Sequence, residues 1–242
     1  MKSQGGDEIT LEATDLEKDL GINIDPKLKF SSHIETQVNK ANRVMGLIRR
    51  SYEYLDGDSF KKLFTALVRP HLEYCNVAWS PRLKKDRNLI ESVLRRGTKI
   101  IPILHELEYE ERLRRLDLPS MSYRRIRGDM IEVYKYTHGI YHTDQILVLD
   151  EDTSRRGHNY KLKKQFCNSA TRSNFFSFRV VDTWNGLPWA VVNSPSLNAF
   201  KARLDRLWSK LKYKIDLDVT CPLPQVSDDI TVESKAETST KD

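Results

Sequence analysis

The stretch Leu67-Val68-Arg69-Pro70-His71-Leu72-Glu73-Tyr74-Cys75-Asn76-Val77-Ala78-Trp79-Ser80-Pro81 decides how the chain reads. It has helical spacing on both sides of a proline. Phe60, Leu63, Phe64 and Leu67 precede Pro70 on one stripe, and His71, Leu72 and Cys75 continue it. A proline inside a helix removes a backbone donor and clashes with the preceding turn. The pattern predicts a helix from Ser59 to Ala78, kinked at Pro70 and closed by Ser80-Pro81.

Amphipathic helices are expected on either side. From Ser32 to Arg50, Ile34, Val38, Ala41, Met45 and Ile48 share a face, with Ser32 and Glu35 spaced as a capping box. From Leu83 to Ile101, Leu83, Ile90, Val93, Leu94 and Ile101 point inward. Further helices are predicted over Glu106–Leu116, Ser120–His138 and Phe175–Trp184. A last helix is expected to open at Ser194-Pro195, with Ser as N-cap and Pro in the first turn. Gln145–Leu149 reads as a short strand. Near the start, Ile9, Leu11 and Ala13, and then Leu20, Ile22 and Ile24, alternate as strands do. They predict a hairpin turning through Thr14–Asp19. Beyond residue 214 the chain is acidic, polar and interrupted by proline, a composition that favours disorder.

Charge is divided unevenly. Residues 1–20 carry two Lys/Arg against six Asp/Glu, and residues 214–242 carry three against seven. With +6 on the whole chain, the middle holds a net +14. A basic body between acidic ends fits a polyanionic partner, while arginine-rich solvated faces are the bland alternative. No long apolar run and no signal-like N-terminus occurs, so no membrane partner is expected. Three cysteines lie far apart, an odd count without CxxC spacing. Reduced thiols and an intracellular setting, nuclear or cytoplasmic, follow as the expectation.

Catalytic constellations are missing from the pattern. There is no phosphate-cradling glycine loop and no nucleophile elbow. His138 and His142 are four apart, but Gly139 ends the helix between them, so solvated histidines are the simpler reading. Asp228-Asp229 is an adjacent carboxylate pair, set in the acidic tail rather than on a rigid hairpin. No cofactor and no metal are expected. Arg124, Arg125 and Arg127 stand out, because cations at a helix start oppose the macrodipole. An external anion, or pairing with Glu108, Glu110 or Glu111, would account for them.

Several segments together resemble one family. Glu17 through Asp25, Leu28-Lys29-Phe30, His33-Ile34 and Gly46 through Arg50 form the first part of the likeness. Leu67 through Pro81, Arg95-Arg96, Tyr109 through Leu113 and Tyr123 through Met130 continue it. Arg172 through Phe176, Arg179-Val180-Val181, Trp184-Asn185 and Leu187-Pro188 complete it. Over roughly residues 15–208 the chain resembles the region after the catalytic palm of jockey-like non-LTR retrotransposon reverse transcriptases.

That resemblance implies a mainly α fold with four parts. Residues 1–30 would be a residual palm-edge β-hairpin, with Asp19, Leu20 and Gly21 in the primer-grip position. Residues 31–102 would be a thumb-like helical domain, 103–213 a C-terminal helical extension, and 214–242 a disordered acidic tail. It also implies binding of RNA, or of an RNA–DNA or DNA duplex, through backbone phosphates. The contacts expected are Lys40, Arg43, Arg49, Arg50, Arg69, His71, Arg95, Arg96, Lys99, Arg124, Arg125 and Arg127. The family's polymerase carboxylates and endonuclease have no counterpart in this sequence. The expectation is therefore a non-catalytic fragment of an RNA-directed DNA polymerase. A reverse-transcriptase palm or another protein could dock on the hairpin. A helical protein-interaction module or a non-functional relic of a mobile element are the alternatives.

Overall fold

A computed structural model describes residues 14–141, 146–150, 158–215 and 217. The fold is mainly helical, with one short antiparallel hairpin near the N-terminus. In the hairpin, β1 (Glu17–Asp19) pairs with β2 (Ile22–Ile24), Asp19 opposite Ile22 and Glu17 opposite Ile24. Its turn is Leu20-Gly21, with φ of 44° and 85°. Two consecutive positive φ values are what a two-residue hairpin turn requires, and glycine supplies one without strain. The turn therefore lies beyond Thr14–Asp19, where it was expected. The anticipated strand Ile9–Ala13 lies outside the described residues.

Helix α1 (Ser31–Ser51) buries the predicted stripe: Ile34, Val38, Ala41, Met45 and Ile48 are all inside. Its start differs from expectation. The N-cap is Phe30, in the left-handed region, and no side chain caps it. Asp25 organises the turn instead, accepting the backbone N–H groups of Lys27, Lys29 and Phe30. Burial disfavours its charge, but these donors outweigh burial and hold the Asp25 carboxyl below the usual range.

The Pro70 region is resolved by two local devices rather than one kink. Helix α2 (Gly57–Leu63) is capped by Asp56, whose carboxylate accepts from the Asp58 and Ser59 N–H groups. It runs into a widened turn, Phe64–Val68, in which the Arg69 N–H reaches back five residues to the Phe64 carbonyl. That π-type turn opens the helix just ahead of the residue that cannot donate, so Pro70 falls in the first turn of α3 (Arg69–Glu73). A second break follows at Cys75, with φ 53°, before α4 (Asn76–Trp79). The register shift changes which residues face inward. Phe60, Phe64, Val68 and Leu72 are buried, whereas Leu67 is half exposed and Cys75 is exposed.

Helix α5 (Lys84–Thr98) packs on α1 in the same direction. Ser31 at the start of α1 donates to the buried Asp86 at 2.7 Å. Further along, Arg96 donates to Asn42 at 3.0 Å. Near the far end Gly97 lets the helices close up, since a Cβ there would stand 2.8 Å from the Met45 methyl and 3.1 Å from the Phe60 ring. Helix α6 (Tyr109–Leu116) completes this first core, which also takes in Ile22 of the hairpin and Leu118 and Met121.

Helix α7 (Met121–Thr137), capped by Ser120, passes from the first core into the second. Beyond Met121 its residues Tyr123, Ile126, Met130, Val133 and Tyr134 face a different set of partners. These come from α8 (Phe176–Arg179), α9 (Val181–Asn185), α10 (Trp189–Val192) and α11 (Leu197–Leu207). The helix expected over Phe175–Trp184 is thus two short ones, α8 and α9. The last helix is capped by Ser196, whose hydroxyl accepts from the Ala199 N–H, and not by Ser194. In place of a strand over Gln145–Leu149 there is a single antiparallel bridge, Leu149 to Leu162; Gln145 itself lies outside the described residues. The chain then returns to the α6–α7 junction, where the Ser120 N–H donates to the Lys212 carbonyl and its hydroxyl to that of Lys214. Lys212, with Tyr213 and Lys61, bonds Asp117 and holds its carboxyl down at about 2.

Three histidines lie in these cores. His33 accepts the Asn23 N–H through Nδ1 at 3.2 Å. The ring of His138 stacks on Tyr134 and Tyr160, with centroids 3.9 and 4.3 Å away, and is not the solvated side chain anticipated. His142 lies outside the described residues. His158 is 3% exposed, with Nε2 3.2 Å from the Trp184 carbonyl. Burial depresses all three pKa values below 6.5. The unfolded chain therefore binds protons first as pH falls, so this contribution to stability is intact above pH 6.5 and is lost below it. NMR imidazole titrations are expected to place each of the three below 6.5 in the folded state; a midpoint above that value would refute the reading. Glu91 and Asp129, raised by burial, act in the opposite sense on the melting temperature, so the titrations are the decisive readout.

Candidate nucleic-acid interface

The parallel packing of α1 and α5 brings two basic helix ends together. Arg49 and Arg50 close α1, while Arg95 and Arg96 close α5, with Lys99 at its C-cap. Cations are favoured at these ends by the helix dipoles. The Arg96–Asn42 bond fixes which flanks meet. Helical spacing puts Arg49 on the same flank as Asn42, whereas Arg43 and Arg50 share the outward face opposite the buried stripe, and Arg50 lies 3.5 Å from where a Gly46 Cβ would stand. Lys40 lies beside Leu47, about 60° further round from Arg43. Lys40, Arg43, Arg49, Arg50, Arg96 and Lys99 are exposed, and none forms a salt bridge among the described residues.

Other expected contacts are turned inward. Arg124 pairs with Glu73 of α3, Nη2 to Oε2 at 2.8 Å, and Arg69 lies 3.7 Å from the same carboxylate. Arg127 grips Asp205 of α11 with two bonds, at 2.5 and 2.8 Å. Arg125 is 5% exposed; burial pushes it down to about 10, and its Nη2 donates to Ser122 at 3.1 Å. These three arginines thus have internal partners, and not Glu108, Glu110 or Glu111. The helix-dipole argument read them as calling for an anion; the anions are side chains from helices remote in sequence. His71 is half-buried on α3. Asp19, Leu20 and Gly21 form the tip of the hairpin, where the Leu20 carbonyl accepts the Tyr74 hydroxyl at 3.0 Å.

Two buried carboxylates join elements that are distant in the sequence. Asp129 and Arg179 are a buried ion pair between α7 and α8, Nε to Oδ2 and Nη2 to Oδ1 both at 2.9 Å. The same guanidinium donates to the Val77 carbonyl at 2.9 Å and the Asn174 carbonyl at 3.0 Å. Asn174 in turn donates to the Ser80 carbonyl at 2.8 Å. Carbonyls at the end of a short helix have no intrahelical partner, and here side chains from a hundred residues downstream supply the donors. Glu91 makes the second joint. It accepts from the Tyr109 hydroxyl at 2.6 Å and from the Met121 and Ser122 N–H groups, at 3.0 and 3.3 Å. Burial raises its pKa, against Tyr109 and Arg125, which favour the charged form. Neither joint was anticipated. The available signal was a carboxylate on an apolar stripe: Asp129 among Ile126, Met130 and Val133, and Glu91 beside Ile90 and Leu94.

Among the described residues no cluster of three or more His, Cys, Asp or Glu could hold a metal ion, and no helix is long and apolar enough to cross a membrane. Asp228-Asp229 lies outside the described residues. No family model and no solved structure matches the sequence. It is similar to an uncharacterized protein of Caenorhabditis elegans, 24% identical over 139 residues, covering 56% of this chain and 70% of the other.

Proposed function

We propose that this chain holds an RNA-containing duplex or a DNA duplex by its phosphates, as a non-catalytic counterpart of a reverse-transcriptase thumb and C-terminal extension. The observation that carries the reading is the pair of exposed basic helix ends of α1 and α5, with Arg43 and Arg50 on the outward face of α1 and Arg96 at its seam with α5, all free of carboxylate partners among the described residues. Exposed guanidinium groups suit phosphate oxygens, which give register and affinity without reading bases.

Fluorescence anisotropy with an RNA–DNA duplex tests it. For three phosphate contacts, raising salt from about 50 to 200 mM is expected to weaken binding about 40-fold. The double variant Arg43→Gln/Arg96→Gln should lower the salt slope by about two and cost about 1 kcal/mol of stability or less, since both side chains are exposed. Absence of wild-type binding at the lower salt would remove the proposal.

A second reading has one observation behind it. All of β1 is exposed, and Leu20 at the hairpin tip is 82% exposed. An open strand edge with an apolar tip suits a protein partner. Salt-insensitive association without any duplex affinity would favour that reading.

A further inference from the structure

An open cavity of about 470 Å³ lies in the second half of the chain, between the segment 164–167 and helices α8 and α9. Phe166 and Phe178 form two of its walls, and Gln165, Ser173 and Val181 also line it. Phe166 is 88% exposed, more than any other large apolar side chain described. Its ring has no aromatic or cationic neighbour among the described residues. A single exposed apolar residue on a flat surface is ordinary, but one that walls a ligand-sized cavity presents a ring for something to cover. The segment that carries this ring is held at two points. Asn185 clasps the Leu162 backbone with bonds of 2.8 and 2.9 Å, and Lys164 bonds both Asp182 oxygens, at 2.7 and 2.8 Å.

The charges that line the cavity are already matched, Lys164 to Asp182 and Arg179 to Asp129. Beside it, Arg172 is exposed, with its guanidinium carbon 5.2 Å from the Phe178 centroid, and it forms no salt bridge among the described residues. A charge-balanced cavity with aromatic walls suits a neutral flat ring. An unmatched guanidinium next to it suits an anion attached to that ring. The Gln165 amide, exposed and without a hydrogen bond among the described residues, can both donate and accept along the ring's edge. A phenyl or indole ring of a protein partner would use the walls and leave Arg172 unmatched, whereas a base with its phosphate uses all three features.

We infer that this cavity takes an unpaired base of a polynucleotide strand, stacked on Phe166, with Arg172 donating to a neighbouring phosphate. The inference rests on the reading of the chain as a nucleic-acid holder and adds to it a single-stranded segment continuing from the duplex. Stacking needs no particular base, since every base has a π-face, so the site would hold a strand without reading its sequence.

The test compares a blunt RNA–DNA duplex with the same duplex carrying a single-stranded extension that contains 2-aminopurine. The extended duplex is expected to bind the wild-type chain more tightly, with the 2-aminopurine fluorescence quenched by stacking. Phe166→Ala should abolish the quench and weaken binding of the extended duplex about five- to hundredfold, with the salt slope and the blunt-duplex affinity unchanged. Arg172→Gln, a second exposed position, should lower the slope for the extended duplex by about 0.7. Equal affinity for the two duplexes, or a quench that survives Phe166→Ala, would overturn the site and leave the duplex reading standing. Phe166 ring signals that shift with an aromatic peptide and not with the strand would overturn the base as occupant in favour of a protein. Binding of the extension without the blunt duplex, still dependent on Phe166, would remove the duplex reading and leave the site. Wild-type protein that binds neither would overturn both.

Discussion

Replacing Asp129 by alanine is expected to destabilise the protein by about 3–5 kcal/mol, the usual cost of stranding one member of a buried ion pair. Both side chains of the Asp129–Arg179 pair are nearly inaccessible, at 2% and 3%. Without the carboxylate, Arg179 keeps the Val77 and Asn174 carbonyls as acceptors but loses the charge that offsets its desolvation. Urea unfolding of Asp129→Ala measures the cost; a loss below about 1 kcal/mol would show that the carbonyls alone satisfy the guanidinium. The double variant Asp129→Leu/Arg179→Met should recover only part of the loss. Removing both charges cancels the electrostatic penalty, but it leaves the Val77 and Asn174 carbonyls without their donor. The pair joins α7 to α8 and holds the end of α4. Its loss should therefore loosen the contact between the two cores, read as faster amide exchange at Val77–Ser80.

Trp79→Ala is the second large effect, about 3–5 kcal/mol for an aromatic fully inside the core. Trp79 is 1% exposed, and its ring meets the His33 ring edge-on at 5.2 Å. Its indole N–H donates to the Tyr74 carbonyl at 2.6 Å. That carbonyl borders the break at Cys75, where the left-handed backbone interrupts the helix. Trp79→Phe separates the two roles. It keeps most of the apolar burial and removes the donor, so about 1–3 kcal/mol of the loss should remain. Equal stability of Trp79→Phe and wild type would show that the indole bond contributes nothing. Chemical denaturation of the three proteins in parallel gives both differences.

The stripe of α1 was legible because it depends only on spacing. Five apolar residues at helical intervals must share a face, and that face was the one buried. The same holds for Ile90, Val93 and Leu94 of α5. Pro70 announced a disturbed helix for an equally local reason, a missing N–H. Which disturbance resulted was not local. Packing chose a widened turn before the proline and a left-handed break at Cys75, and so buried Val68 while exposing Leu67.

Charge tells the same story from the other side. The sequence by itself determined that the middle of the chain is strongly basic, and that α1 and α5 end in arginines. It could not say which arginines face water. Arg124, Arg125 and Arg127 look as available as Arg43 and Arg96 when read along the chain. Their partners Glu73 and Asp205 stand 51 and 78 residues away, and only the folded chain brings them within reach. Arg112 shows the reverse case: one basic residue among several in α6, it is buried with Nε and Nη1 unpaired among the described residues. Local spacing sets faces and caps, since those interactions span a few residues. The pairing of buried charges is decided only when distant helices meet, because the free energy of a charge depends on what surrounds it in three dimensions.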